Sequence, residues 1–319
     1  MQKPPTTNRQ EQQQLDDGEQ QLHNEITKEL TPRRSHRDDS AVVTPPSSAR
    51  RRWMLLTNKV MKAKPKESER EDSSGFKSFG FFALSAFGER SPSGSWYRLI
   101  SPIKDVHLEL HFLSADGTTL KDLVGYDNTG NVRLWPAEEC LAQYLLLNDA
   151  VCRGKQVLEL GAGMTGLAGL MALTSGARSV CLTDGNERSV ENLRMIIERN
   201  DLRENVRCAV LNWAEGRLRE DFDLILCADC LFYTNSHEAL LGCIYAHLRQ
   251  AGFVYLMAPS RRGTAMQFLN RIFEERGKWR SVKVAFRLQK EIDRRIKLFE
   301  NQAIYEADLH TPILFILEK

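Results

Sequence analysis

From Gln156 onward, short continuous apolar runs alternate with segments whose apolar residues recur every three or four positions. The runs fall at residues 157–160, 180–183, 206–211, 222–228, 253–258, 282–286 and 313–317. Between them Leu167/Leu170/Met171, Val190/Leu193/Ile197, Leu241/Ile244/Leu248 and Met266/Leu269/Phe273 carry the spacing of helices with one apolar face. Strand and helix in strict alternation predict an α/β fold: a doubly wound, mostly parallel seven-stranded sheet covered on both faces. In such sheets ligands sit beyond the carboxyl ends of the strands, and candidate chemistry belongs there.

A different pattern precedes this region. Phe76, Phe79, Phe81, Phe82 and Phe87 crowd into twelve residues, residues 96–100 read as a strand, and residues 106–113 alternate Val106, Leu108, Leu110 and Phe112 against His107, Glu109 and His111. Residues 73–125 are therefore expected to form a β-rich extension, with His107 and His111 on one half-exposed face. Residues 1–72 hold the Gln-rich stretch 10–14, the run Thr44-Pro45-Pro46-Ser47-Ser48 and the triplet Arg50-Arg51-Arg52. This segment buries too little to offset its chain entropy, and a disordered tail is expected, with a short helix over 53–62. The main domain then spans 126–319.

Composition narrows the function classes. The 44 Lys+Arg against 42 Asp+Glu leave a formal charge of +2, which argues against a protein built to coat nucleic acid or to act as an acidic scaffold. No apolar run reaches the roughly 18 to 20 residues needed to span a bilayer, and the start lacks a signal-peptide core. A soluble, monomeric, cytoplasmic protein with no membrane or nucleic-acid partner is expected. The basic triplet with Lys59, Lys62, Lys64 and Lys66 is a candidate nuclear-import patch, although mixed charge of this kind more often serves solvation. Seven scattered cysteines read as reduced core residues, and the spacing Cys227-Ala-Asp-Cys230 lacks the second ligand pair of a metal site.

The chemistry concentrates where the first strand of the main domain runs into a helix through Gly161-Ala162-Gly163-Met164-Thr165-Gly166. Glycines at this spacing let the backbone turn sharply and approach a flat ligand. The next strand ends in Thr183-Asp184, where a carboxylate accepts the two hydroxyls of a ribose. Together they imply a nucleoside-containing cofactor. Glu159 precedes the first glycine by two residues; its charge suits a sulfonium and an α-amino group and repels a pyrophosphate, which favours S-adenosylmethionine over NAD. Taken singly, Glu159 is also a residue that caps local amides, and Asp184 a helix cap. Leu211-Asn212-Trp213 offers an indole to an adenine edge, Trp135-Pro136 an indole to the methionine end, and Ala228-Asp229-Cys230-Leu231-Phe232 places Asp229 and Phe232 at the rim. Core packing is the competing explanation for each tryptophan.

These motifs resemble those of the seven-β-strand (class I) protein lysine methyltransferases, whose fourth strand ends in a DxxY/F motif. The resemblance covers about residues 76–319 and extends to residues 126–132, Leu134-Trp135-Pro136, Ala258-Pro259 and Arg261-Arg262-Gly263. It implies methyl transfer from S-adenosylmethionine to a lysine ε-amine of a protein, and calmodulin as that protein, up to trimethyllysine. It further implies that Gly161, Ala162 and Gly163 contact the cofactor, Asp184 its ribose, Trp213 and Ala228 the adenosine surroundings and Trp135 the methionine side. Asp229 and Phe232 then line the lysine channel. Asn212 stands where relatives often carry Asp, and Phe232 where many carry Tyr. A different lysine-bearing substrate, and a cofactor-bound interaction module without catalysis, are the other readings.

Residues 261–297 carry 12 Lys+Arg against 4 Asp+Glu. An acidic partner docked on this segment is the expectation, with a solvated helix face as the plainer alternative.

Overall fold

The computed structural model describes residues 78–91, 93–114 and 133–319. The tail at 1–72, the helix read at 53–62, Phe76, residues 126–132 and the boundaries drawn at 72/73 and 125/126 lie outside the described residues. Three antiparallel strands come first, β1 (Ala83–Ser91), β2 (Gly94–Ile100) and β3 (His107–Leu113), in the order β1-β2-β3. Helix α1 (Pro136–Leu147) follows, with the fixed φ of Pro136 suited to its first turn.

The main sheet contains β4 (Gln156–Leu160), β5 (Ser179–Asp184), β6 (Val206–Val210), β7 (Phe222–Ala228), β8 (Leu248–Pro259), β9 (Ser281–Ala285) and β10 (Pro312–Glu318). Its order is β6-β5-β4-β7-β8-β10-β9. The first five are parallel, and β10 lies antiparallel between β8 and β9. Helices α2 (Leu167–Thr174), α3 (Glu187–Arg199), α4 (His237–His247), α5 (Thr264–Glu274), α6 (Lys290–Lys297) and the short α7 (Ala307–His310) connect the strands. Val157, Leu158, Glu159 and Leu160 are all buried, as are Leu224, Ile225, Leu226 and Cys227, so strands covered on both faces read as unbroken apolar runs. The chain winds outward from β4 through β5 to β6, then crosses back to place β7 on the other side of β4. That reversal opens a crevice between the carboxyl ends of β4 and β7, where Leu160 pairs with Cys227.

Of the phenylalanine cluster, Phe87 lies in β1 but Phe79, Phe81 and Phe82 are not strand. Phe79, Phe81 and Phe82 precede β1 and are buried, because the backbone N–H groups of Phe79 and Phe81 donate to the Glu139 carboxylate of α1 at 2.8 and 2.7 Å instead of to a neighbouring strand. The Phe79 ring meets Phe299 edge-on at 5.7 Å between centroids. His111 also departs from the expected half-exposed face. It is buried, with Nδ1 2.6 Å from Oδ1 of Asn192 on α3, whereas His107 is exposed. The Asn192 amide donates to the carbonyls of His111 (2.8 Å) and Met164 (2.7 Å), joining β3 to the glycine-rich loop.

Candidate functional site

The loop after β4 is built on glycines that no other residue replaces cheaply. Gly161 has φ +68°, and a Cβ there would stand 2.6 Å from Cys230 Sγ and 3.4 Å from the Trp213 ring. Trp213 is therefore against the loop. Ala162 donates to the Thr183 carbonyl at 2.9 Å, and the N–H of Gly163 donates to Oδ2 of Asp184 at 2.9 Å. The other oxygen of Asp184 accepts from Asn186 N at 2.8 Å. The cap of α3 is Asn186 itself, accepting from Ser189 N, so Asp184 is not a helix cap but a brace between the ends of β4 and β5. Asn212 uses its side-chain oxygen on Ala214 N at 2.9 Å, which turns the chain and presents Trp213.

Glu159 is not at the mouth of the crevice. It is 1% exposed, and its Oε2 accepts from Gly169 N in the first turn of α2 at 2.8 Å. Gly166 caps this helix without a side chain, leaving N-terminal amides to be satisfied from elsewhere. Glu138, reaching across from α1, supplies the second acceptor, taking the N–H of Leu167 at 2.8 Å and the Thr165 hydroxyl at 3.1 Å. Burial raises both carboxyls, Glu138 to about 7 and Glu159 well above its ordinary value; the Asp229 charge adds to the first shift, and the charges of Glu138 and Asp184 add to the second. This pair decides between the cofactor classes on structural grounds. A dinucleotide needs the helix N-terminus for its pyrophosphate, and here two carboxyls already occupy the amides of Leu167 and Gly169. A nucleoside without a phosphate fits what remains: the glycine loop, Asp184 at the end of β5 and the Trp213 indole.

A linkage effect follows. A folded-state pKa of about 7 against 4.5 unfolded means that Glu138 binds its proton more tightly in the native protein, so its stabilising contribution is complete below pH 4.5 and is lost as the pH rises toward 7. Thermal melts of Glu138→Gln should lose less stability between pH 5 and 7.5 than those of the parent; parallel curves would refute this.

On the opposite side of the crevice, β7 ends in Ala228 and Asp229. Asp229 is buried, at φ +56°, and both its oxygens lie on Nη2 of Arg261, at 2.8 and 2.6 Å. Burial pushes its carboxyl above the usual range while Arg261 and Arg133 pull it down. The Arg261 guanidinium lies 5.5 Å from the Trp135 ring and 6.0 Å from that of Phe232, and Arg133 stacks on Trp135 at 4.3 Å. Trp135, Asp229 and Phe232 are thus brought together as expected, but around an arginine assigned to the docking segment. Arg261 belongs to the site. It follows β8, the strand next to β7, and the same carboxyl-end rule that led to Asp229 also points to it.

Arg261, Arg262 and Gly263 have φ of +46°, +58° and +87°. Such backbone is held only where its surroundings dictate it. Here the Asp308 carbonyl accepts from Arg261 N at 2.7 Å, and its carboxylate accepts from Arg262 N at 3.0 and 2.8 Å. His310, two residues on, has its pKa lowered to about 4 by burial and by both arginines, and is neutral. Cys227 and Cys230 are packed at the strand end, Cys230 Sγ on the carbonyls of Ala228 and Leu160, and all seven cysteines are free thiols. No group of three or more His, Cys, Asp or Glu among the described residues is placed to hold a metal ion, and no described helix is long and apolar enough to cross a membrane.

Residues 119–275 match a protein family described as lysine methyltransferase. Calmodulin-lysine N-methyltransferase of Arabidopsis thaliana is 35% identical over 155 residues, covering 46% of this chain and 51% of the relative. Protein N-terminal and lysine N-methyltransferase EFM7 of Cryptococcus neoformans is 27% identical over 203 residues, covering 59% and 65%. Histone-arginine methyltransferase METTL23 of Mus musculus is 33% identical over 120 residues, covering 35% and 46%. The chain thus spans about half to two thirds of the length of these relatives. Over residues 119–275, the part that builds the crevice, the chain is similar to the lysine methyltransferase family.

Proposed function

We propose that this protein transfers methyl groups from S-adenosylmethionine to a lysine ε-amine of another protein, calmodulin, up to trimethyllysine. The observation that carries the reading is the pairing of two half-sites across one crevice: Gly161 to Gly163 with Asp184 and Trp213 on one side, Trp135, Asp229 and Phe232 on the other. Gly161, Ala162 and Gly163 hold the cofactor, Asp184 accepts its ribose hydroxyls, Trp213 and Ala228 enclose the adenosine, and Trp135 walls the methionine end. Glu159 serves by fixing the loop and α2 from beneath. When bound, S-adenosylmethionine supplies an electrophilic methyl group on sulfur. Phe232 lines the amine's path with an apolar face, and the missing phenolic hydroxyl has no part in the reaction. Asp229 orients the amine, and most of the acceleration comes from alignment.

The Arabidopsis relative supports calmodulin as substrate, while the names of the other two relatives extend to N-terminal and arginine acceptors. Charge adds weaker support. Within 261–297, Arg261, Lys278, Arg280 and Arg295 bind partners within the chain, but Lys283, Arg287, Lys290, Arg294 and Lys297 are exposed. Mass spectrometry of unmethylated calmodulin incubated with enzyme and cofactor should show additions of one to three methyl groups at a lysine, suppressed by moderate salt. Unmodified calmodulin beside methylation of another protein overturns the substrate. Cofactor binding with no transfer to any protein favours an interaction module.

A further inference from the structure

The reaction proposed above sets a problem that Asp229 alone makes worse. The attacking nitrogen must carry a lone pair, yet a free lysine amine has a pKa near 10.4, and a bare carboxylate beside it would hold its proton more firmly. Asp229 is not bare. Its two oxygens are taken by Arg261, and Arg133, 4.3 Å from the same Trp135 ring that Arg261 approaches to 5.5 Å, feels the charge of both. Two guanidiniums face one carboxylate. Three further groups are packed around them: His310 of α7 is neutral, the Asp308 carboxylate is turned to the backbone N–H of Arg262, and burial raises Glu138 of α1 to about 7, so that it carries only part of a negative charge near neutral pH. The Nε of Arg261 is buried and has no hydrogen-bond acceptor, so the guanidinium keeps an undelivered donor inside the site.

We propose that Arg261 is a positioning residue that acts through charge: paired to Asp229, it neutralises the carboxylate and keeps the incoming lysine amine in its uncharged, nucleophilic form. This rests on the methyltransferase reading given above. The amine's lone pair forms the new nitrogen–carbon bond as the methyl's bond to sulfur breaks with its electrons left on sulfur, and the nitrogen then releases a proton to water. A cation next to an amine is a known way to activate it without a dedicated base. The strained backbone of residues 261–263, fastened by Asp308, is what holds the guanidinium on Asp229.

The test is the pH dependence of kcat/KM for radiolabelled methyl transfer to unmethylated calmodulin, using the full chain. Arg261→Met should move the rising limb upward by about one pH unit, with roughly tenfold slower transfer at pH 7.5 and near-recovery at high pH. Arg261→Lys, which keeps the charge, should leave the limb near its original position even if the maximal rate falls. Adenosylhomocysteine affinity and melting temperature, measured on each variant, separate misfolding from the effect sought, since a misfolded variant loses rate at every pH. An unshifted limb in a folded Arg261→Met, or a changed KM alone, overturns the inference and leaves the enzyme reading standing. Absence of transfer by the unaltered protein to calmodulin and to every other protein offered, with cofactor bound, overturns both.

Discussion

Asp229→Ala should abolish methyl transfer, by at least about a hundredfold, while adenosylhomocysteine still binds. The side chain sits at the carboxyl end of β7, across the crevice from the glycine loop, and makes no hydrogen bond to Gly161, Gly163 or Asp184 in the described network. Its loss therefore removes the group that orients the amine and spares the pocket for the nucleoside. The same substitution strips Arg261 of its counter-ion. Because the guanidinium is 23% exposed, the resulting loss of stability should lie at or below the lower end of the range for buried pairs, about 3 kcal/mol. Asp229→Asn keeps the shape and a hydrogen-bond acceptor, and should melt closer to the parent while remaining nearly inactive. Calorimetric titration with adenosylhomocysteine, transfer assays and melts on both variants decide the matter. A fully active Asp229→Ala would remove the residue from the reaction.

The second large effect is on the cofactor itself. Gly161→Val places a branched side chain at φ +68°, where its Cβ would lie 2.6 Å from Cys230 Sγ, a packed sulfur with nowhere to retreat. The left-handed backbone costs about 1–3 kcal/mol for such a residue, so the free loop relaxes to another conformation, and every 1.4 kcal/mol needed to restore the cofactor-binding one is a tenfold loss of affinity. Cofactor affinity should fall at least about tenfold, and turnover with it. Gly154→Ala is the matched control. It has φ +73° with no atom within 4 Å of an added Cβ, so it carries a similar backbone penalty away from the crevice. It should lower the melting temperature and leave affinity unchanged. Equal losses of affinity in both variants would show that the loop senses global stability and not local geometry.

What was legible in the chain is what depends on neighbours in sequence. The apolar runs set β4 through β8, and the glycines with Asp184 lie within one strand-helix-strand unit, so their spacing placed them. What was not legible depends on pairs far apart in the chain. Glu159 was visible as a charge near the glycines, but its direction was set by unsatisfied amides at the start of α2 and by Glu138, which arrives from another helix. Arg261 lies 32 residues beyond Asp229, and only the adjacency of β7 and β8 joins them. Its identity as a basic residue in a basic stretch hid its role, because local charge density carries no information about which member turns inward. The burial of His111 was hidden for the same reason: alternation along β3 predicts one covered face, and α3 covers the other.

Asn192 joins parts that a domain map would separate. Its amide spans the carbonyls of Met164 and His111, so the small antiparallel sheet works as a buttress for the cofactor loop. A fragment trimmed to residues 119–275 would keep the glycine loop, Asp184, Trp213, Asp229 and Phe232 and still be without that support, with a buried amide facing solvent where β3 had been. Expression of a working enzyme should begin upstream of Ser78, where the clip onto Glu139 starts.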